Sequence, residues 1–261
     1  MSEIVLPVRQ FPLHINPTGP CREEELGYVE RTWSLPLGQT ALVLVDCWDL
    51  HHITSHLERA TATIEQRLVP ALAACRRAGI TVIHAPSPQT ARKYPQWTRY
   101  AGDETVFGQE RPEPDWPPRP FRRRQGAYAQ FAPPAQVFFP YTERLKRERR
   151  IIACLEPLPG EWVIATGEQL HRLCRARRLL HLIYCGFAAN ICVLNRDYGI
   201  VAMAQERGYN VILLRDGTNA IENADTLADE TILLASVRRV ETLYGSTTTC
   251  ADLITACEGS G

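Results

Sequence analysis

The chain contains short runs that are apolar at almost every position, and a helix-like segment follows most of them. The clearest run is Thr-Ala-Leu-Val-Leu-Val-Asp at residues 40–46. A run of this kind is typical of a strand that is buried on both faces, as in a parallel sheet. Similar runs lie at residues 80–84, 162–165, 179–185, 210–214 and 241–244.

Helices are predicted between these runs. Residues 60–77 carry apolar side chains on one helical face, and Gly79 follows as a typical helix end. Further helices are predicted at residues 168–178, 190–207, 225–240 and 249–256. Strands that alternate with helices predict a three-layer α/β/α sandwich, with helices on both faces of a parallel sheet.

Two regions depart from this alternation. Residues 1–38 are rich in Pro and Gly, and we expect an irregular N-terminal arm packed on a domain that spans residues 39–261. Residues 88–148 are rich in Pro, Arg and aromatic side chains, and proline disfavours regular structure. This insertion is interpreted either as a lid or oligomer contact, or as a surface insertion without a role.

Composition excludes several functional classes. The 29 basic and 29 acidic residues balance, so no global charge favours nucleic acid or a membrane. No apolar run has the length of a membrane span, and the first residues do not resemble a signal peptide. The nine cysteines include no CxxC pair, and no GxGxxG follows a predicted strand. We therefore expect a cytoplasmic protein without nucleic-acid or membrane partners.

Candidate functional residues follow the predicted strands, because ligands bind at the carboxyl ends of parallel strands. Cys192 lies in the first turns of a predicted helix, where free N–H groups and the helix dipole lower a thiol pKa. Asp46 ends a strand predicted at the centre of the sheet, and a carboxylate near a thiol can act as its base. The alternative for Cys192 is a buried helix cysteine without a role.

Three segments together resemble the isochorismatase-like cysteine hydrolases, which include nicotinamidase-related amidases. They are Ala-Leu-Val-Leu-Val-Asp at 41–46, Gly-Phe-Ala-Ala-Asn-Ile-Cys-Val at 186–193, and residues 208–216. The resemblance covers about residues 40–85 and 160–245. It implies a six-stranded parallel sheet of Rossmann-like type, a homodimer or homotetramer, and a small-molecule substrate.

The resemblance also implies a reaction. Cys192 would be the nucleophile and Asp46 its base in the hydrolysis of a C–N bond of a small amide, through a thioester. A cis peptide bond would join Phe187 and Ala188, and the N–H groups of Ala188 and Cys192 would form the oxyanion hole. Isochorismatase itself cleaves a vinyl ether without a cysteine nucleophile, and this alternative stays open.

One residue of the family's triad is missing. The position expected to hold a lysine holds Ala165 or Thr166. Three explanations stay open: Lys93 or Lys146 reaches the site from elsewhere, an arginine or a metal replaces the lysine, or the protein is a non-catalytic member that binds a ligand or scaffolds an oligomer.

Three residues are predicted to contact substrate. Arg196 lies one helical turn after Cys192, and either binds a substrate carboxylate, supplies the missing charge or forms a salt bridge in the site. Trp48 either stacks on a flat substrate or forms a wall of the core. Asn190 either caps the helix or contacts substrate. The basic runs at 122–124 and 146–150 are interpreted as solvated surface or dimer contacts.

No cofactor is predicted as a requirement, but a divalent metal is a candidate. Asp49, His51 and His84 offer carboxylate and imidazole ligands, which suit Zn²⁺, Fe²⁺ or Mn²⁺. Nicotinamidases in the superfamily hold a metal with an Asp and two His residues. The alternative is a polar lining or a hydrogen-bonded cluster.

Overall fold

The strands form one eight-stranded sheet with the order β2-β1-β8-β7-β6-β3-β4-β5. The computed structural model describes residues 2–13, 19, 22–97, 114–132 and 139–259, without the side chains of residues 139–142. The strands are β1 Glu3–Gln10, β2 Val29–Pro36, β3 Thr40–Val45, β4 Thr81–Ala85, β5 Trp162–Val163, β6 His181–Phe187, β7 Asn210–Asn219 and β8 Ser246–Thr248.

Strands β3 to β8 pair in parallel, which confirms the predicted fold class. Two antiparallel strands, β1 and β2, extend the sheet beyond β8. The predicted irregular structure of residues 1–38 is therefore wrong for these two stretches. Ile4, Leu6 and Val8 alternate with exposed positions, which is the period of a strand. Proline and glycine in the flanking segments obscured this short alternation.

Helices cover both faces of the sheet. The α-helices are α1 Thr54–Thr63, α2 Val69–Ala78, α3 Pro88–Ala91, α4 Arg119–Arg122, α5 Phe139–Glu148, α6 Gly167–Arg177, α7 Thr231–Leu243 and α8 Cys250–Glu258. Wider π-helical turns span Ile64–Leu68, Ala189–Val193 and Ala202–Glu206. Short 3₁₀ helices span Glu23–Glu25, Leu37–Gln39, Gly126–Phe131 and Ala153–Leu155.

Alternate residues of β3 enter separate hydrophobic cores. Leu42 and Leu44 pack with residues of α1, α2 and α8 on one side of the sheet. Ala41, Val43 and Val45 pack with residues of α6 and α7 on the other side. Both faces of the central strand are thus removed from water, which explains why the run at 40–45 contains no alternation of polar residues.

Two predicted elements near the C-terminal half differ in the structure. The strand predicted at 241–244 is wrong, because Leu233, Val237 and Val240 recur at helical spacing and extend α7 to Leu243. The helix predicted at 190–207 divides into two short helical segments. The turn between them is closed by the N–H of Gly199, which donates to the Arg196 carbonyl at 2.7 Å.

The insertion at 88–148 contains short helices, so the prediction that it lacks regular structure is wrong for these helices and is confirmed for residues 92–97 and 114–118. Pro88 and Pro120 lie in the first turns of α3 and α4, where a helix needs no N–H donor from these positions. Residues 98–113 and 133–138 lie outside the described residues.

Within the described part of the chain, no helix is at once long enough and apolar enough to cross a bilayer. The eight cysteines in that part are free thiols. The cytoplasmic location stays a prediction.

Substitutions in β1 test whether the arm belongs to the fold. Ile4 is fully buried and Val5 is 57% exposed on the opposite face. We expect Ile4→Ala to lower the free energy of unfolding by about 2–5 kcal/mol, and Val5→Ala by less than about 1 kcal/mol. Urea unfolding of both variants measures the difference. Equal effects would contradict the packing of β1 on the core.

Candidate active site

A cavity of about 280 Å³ lies at the carboxyl ends of the central strands, where ligands bind in sheets of this type. Its lining comes from four segments of the chain: those that follow β3, β6 and β7, and the one around the end of the insertion. The lining residues are Asp46, Trp48, His51, His52, Leu145, Arg149, Ala188, Ile191, Cys192, Arg196 and Ile221.

The close approach of β3 and β6 brings Asp46 to the loop that carries Cys192. Val45 pairs with Gly186 in the parallel register. Gly186 has φ +109°, and a Cβ there would lie 1.9 Å from the Val45 carbonyl oxygen, so no larger residue fits at this contact. The N–H of Asp46 donates to the Ala85 carbonyl at 3.2 Å, which fixes the start of the loop.

Asp46 and Arg196 form an ion pair at the cavity. Arg196 Nη2 lies 3.1 Å from Asp46 Oδ2, and the side chains are 34% and 1% exposed, respectively. Asp46 Oδ1 is also buried and accepts no hydrogen bond from the described residues. One carboxylate oxygen is therefore held by a permanent cation, and the other retains its capacity to accept a proton or a hydrogen bond.

The two lysines lie elsewhere. Lys93 Nζ donates to the carbonyls of Arg147 and Arg149 at 2.9 and 2.8 Å. Lys146 pairs with Glu143 at 2.7 Å on the exposed side of α5. Neither lysine lines the cavity, whereas Arg196 contacts the carboxylate directly. Of the alternatives for the missing lysine, the geometry favours replacement by an arginine.

The Cys192 thiol is protonated at neutral pH. Burial raises its pKa to about 12, and the charge of Asp46 adds to this effect while Arg196 opposes it. The expectation that the helix start lowers this pKa is wrong. The helical segment at Ala189–Val193 is short, so its N–H groups do not outweigh burial and the adjacent carboxylate.

Two backbone donors border the thiol. The peptide bond between Phe187 and Ala188 is cis, at the position that the resemblance implies. The N–H groups of Ile191 and Val193 both donate to the Ala188 carbonyl at 3.1 Å. Among the described residues, the N–H of Ala188, which lies just before this helical segment, donates no backbone hydrogen bond.

Aromatic rings form one wall of the cavity. His51 stacks on Trp48 with ring centroids 4.8 Å apart, and Phe187 lies behind Trp48 at 6.1 Å. Burial, together with the neighbouring His52, lowers the pKa of His51 to about 3. Burial also lowers the pKa of His52. This wall is therefore flat and uncharged at neutral pH.

The predicted metal ligands Asp49, His51 and His84 do not form a ligand set. Asp49 Oδ1 accepts the Arg150 N–H at 2.8 Å, and His51 Nδ1 accepts the Ile53 N–H at 3.1 Å. His84 Nε2 lies 2.9 Å from Glu161 Oε2. In the described ranges, no three His, Cys, Asp or Glu side chains are arranged to hold a metal ion. These residues do not fit the metal site, because each is already used in a local or structural contact.

Asn190 neither caps a helix nor contacts the cavity, so both predicted roles are wrong. Its Nδ2 donates to the Ile221 carbonyl at 3.3 Å, and its Oδ1 accepts the Ile221 N–H at 3.1 Å. Both halves of the amide are thus used to fix the segment after β7. Of the two residues in this contact, Ile221 lines the cavity and Asn190 does not.

Arg149 is a charged cavity residue that the sequence analysis does not predict, since residues 146–150 are interpreted there as solvated surface or a dimer contact. Its Nε donates to the Leu50 carbonyl at 3.0 Å, across a separation of 99 residues. Its guanidinium lies 5.6 Å from the centre of the Trp48 ring. No local pattern marks this residue, because a distant backbone contact brings it to the site.

Fold and site together define a three-layer α/β protein with a cysteine and a carboxylate at the carboxyl edge of its sheet. Residues 40–233 match the isochorismatase domain family, and the chain belongs to this family.

Three known proteins are similar to this chain in sequence or in fold. Ureidoacrylate amidohydrolase RutB of Variovorax paradoxus (strain S110) is 31% identical over 113 residues, a match that spans 40% of each chain. A cysteine hydrolase from Pseudomonas syringae pv. phaseolicola 1448A shares the fold with a TM-score of 0.59 and 22% identity, over 88% of this chain and 97% of that one. An isochorismatase family protein from Desulfovibrio vulgaris subsp. vulgaris str. Hildenborough superposes with a TM-score of 0.48 and 17% identity, over 84% and 98% of the two chains.

The pH dependence of alkylation tests the state of the thiol. Because the thiolate is the reactive form and the pKa of Cys192 is raised to about 12, iodoacetamide should modify Cys192 about tenfold faster for each pH unit from 7 to 10. Mass spectrometry of the Cys192 peptide measures the rate, with the exposed Cys154 as an internal control for the reagent. A plateau below pH 9 would contradict the protonated resting state.

Proposed function

We propose that the protein hydrolyses a C–N bond of a small amide, with Cys192 as nucleophile and Asp46 as its base. The observation that carries this proposal is the arrangement of Asp46. One oxygen of this buried carboxylate pairs with Arg196, and the other accepts no hydrogen bond among the described residues. The Cys192 thiol lines the same small cavity.

The first half of the reaction starts from a neutral thiol. The raised pKa of Cys192 means that a base must remove its proton as Sγ attacks the amide carbon. Asp46 accepts this proton. The carbonyl oxygen becomes an oxyanion, and we assign its stabilisation to the N–H groups of Ala188 and Cys192. Asp46 then protonates the amine as the C–N bond breaks, which leaves a thioester.

The second half of the reaction reverses these roles. Water attacks the thioester carbonyl while Asp46 takes a proton from the water. The tetrahedral intermediate collapses, the C–S bond breaks and the thiol regains its proton. The carboxylic acid leaves, and the resting state of the site is restored.

Arg196 is assigned the role of the missing lysine. A guanidinium keeps its charge at every pH relevant to the protein, and it can hold a carboxylate in a fixed orientation. The ion pair holds the Asp46 carboxylate in a fixed position at the cavity. This assignment removes the main argument for a non-catalytic protein, which rested on the absence of a lysine.

The relative from Variovorax paradoxus supports amide hydrolysis as the reaction class, since it is named an amidohydrolase. The match is partial, so the reaction of this chain is proposed from its own site. The homodimer or homotetramer implied by the resemblance stays a prediction.

Substitution of the nucleophile tests the proposed reaction. Cys192→Ala and Cys192→Ser should abolish ammonia release from a panel of small primary amides, with unchanged circular dichroism. Cys154→Ala, which removes an exposed thiol, serves as the matched control and should retain activity. Acid-quenched wild-type protein should carry an acyl group on the Cys192 peptide. Full turnover in both Cys192 variants would contradict a cysteine nucleophile and would leave the vinyl-ether type of reaction.

A further inference from the structure

Among the described residues, two guanidinium groups line the cavity, and one of them forms an ion pair with a carboxylate. Arg196 is paired with Asp46. Arg149 forms no ion pair within the described part of the chain, and its Nη atoms make no hydrogen bond there. Two carboxylates act on Arg149 electrostatically. Asp46 is already paired with Arg196, and Asp49 is exposed, outside the cavity lining, and accepts the Arg150 N–H. Arg149 thus gives the cavity an uncompensated positive charge.

Arg149 is held in place from several directions. Lys93 Nζ donates to the carbonyls of Arg147 and Arg149. The adjoining residues pair with the segment after β3: the Asp49 N–H donates to the Arg150 carbonyl at 3.1 Å, and the Ile152 N–H donates to the Cys47 carbonyl at 3.0 Å. These contacts are made by the protein's own groups, so a ligand would not have to supply the free energy needed to arrange the arginine.

The chemistry of the cavity limits the chemical class of ligand that it can bind. A guanidinium with free Nη atoms matches the two oxygens of a carboxylate. The cavity has a volume of about 280 Å³, which suits a small molecule. The Trp48 and His51 wall carries no charge at neutral pH and does not compete for the anion.

We propose that the substrate is a small amide that also carries a carboxylate, and that Arg149 binds this carboxylate while Cys192 attacks the amide. The choice of substrate rests on the proposed reaction at Cys192. The anion subsite itself does not, because it depends on Arg149 and the cavity alone. Arg149, which directly follows the insertion, is then a specificity-determining residue.

Alkylation with a matched pair of reagents tests the subsite without turnover. Iodoacetate and iodoacetamide react in the same way: a bond forms between Sγ and the CH₂ carbon, iodide leaves, and the thiol proton is lost. Both rates depend on the same thiolate fraction, so their ratio at one pH reports the effect of the carboxylate. We expect Arg149→Gln to lower the ratio of the iodoacetate rate to the iodoacetamide rate at Cys192 by about tenfold. This factor corresponds to the loss of one hydrogen bond to a charged group.

Two further variants separate the subsite from general charge effects. Arg147→Gln removes the same charge from an exposed position close in the chain and should leave the ratio unchanged. Arg149→Lys keeps the charge but cannot form the bidentate contact of a guanidinium with a carboxylate, and should give an intermediate ratio. A ratio at Cys192 that is equal in wild type, Arg149→Gln and Arg147→Gln would overturn the anion subsite.

Turnover of a second matched pair tests the substrate class. Succinamate has one amide and one carboxylate, and succinamide has two amides. We expect wild-type protein to prefer succinamate, and Arg149→Gln to raise KM for succinamate about tenfold with little change in kcat, because the contact exists before and during the reaction. The parameters for succinamide should not change. Equal kcat/KM for both amides in wild type would overturn the acidic substrate class.

These outcomes distinguish the two proposals. If Cys192→Ala hydrolyses succinamate, the cysteine mechanism fails, whereas the iodoacetate ratio still decides the anion subsite. If Cys192 is required but the ratio does not depend on Arg149, the mechanism stands and the anion subsite is wrong.

Discussion

The ion pair between Arg196 and Asp46 is the interaction on which the proposed site depends. Asp46 is almost completely buried, and a buried carboxylate without a partner would carry a large desolvation cost. Arg196 offsets that cost at one oxygen and leaves the other free of hydrogen bonds among the described residues. The same carboxylate raises the pKa of Cys192 and Arg196 lowers it, so both members of the ion pair act on the thiol of the proposed nucleophile.

The fold supplies this pair through contacts that are distant in the sequence. The β3–β6 register places Asp46 beside the loop after Gly186. The turn from Cys192 to Arg196 then brings the Arg196 guanidinium into contact with the Asp46 carboxylate. The segment directly after the insertion pairs with the segment after β3 and contributes Arg149 to the same cavity. This contact adds a positive charge to the cavity at a position that does not follow a strand of the sheet.

Much of this architecture could be predicted from the sequence. The unbroken apolar run at 40–45 predicts a central parallel strand, and the strand ends locate Asp46 and Cys192 at one edge of the sheet. Strand β1 was missed because its alternation is short, and Arg149 because it reaches the site through a backbone contact between distant residues. The structure does not bring the candidate metal ligands together among the described residues, and nearness in sequence does not reveal that Asp49 and His84 have other partners.

Activity of Arg196 variants tests the central claim most directly, since this residue is assigned the role of the absent lysine. Arg196→Lys keeps a cation near Asp46, and kcat/KM for amide hydrolysis should stay within about tenfold of wild type. Arg196→Gln leaves the carboxylate without a cation, and kcat/KM should fall by about a hundredfold or more, with circular dichroism confirming a folded protein. Wild-type kcat/KM in Arg196→Gln would contradict the account, because the site would then operate without the ion pair.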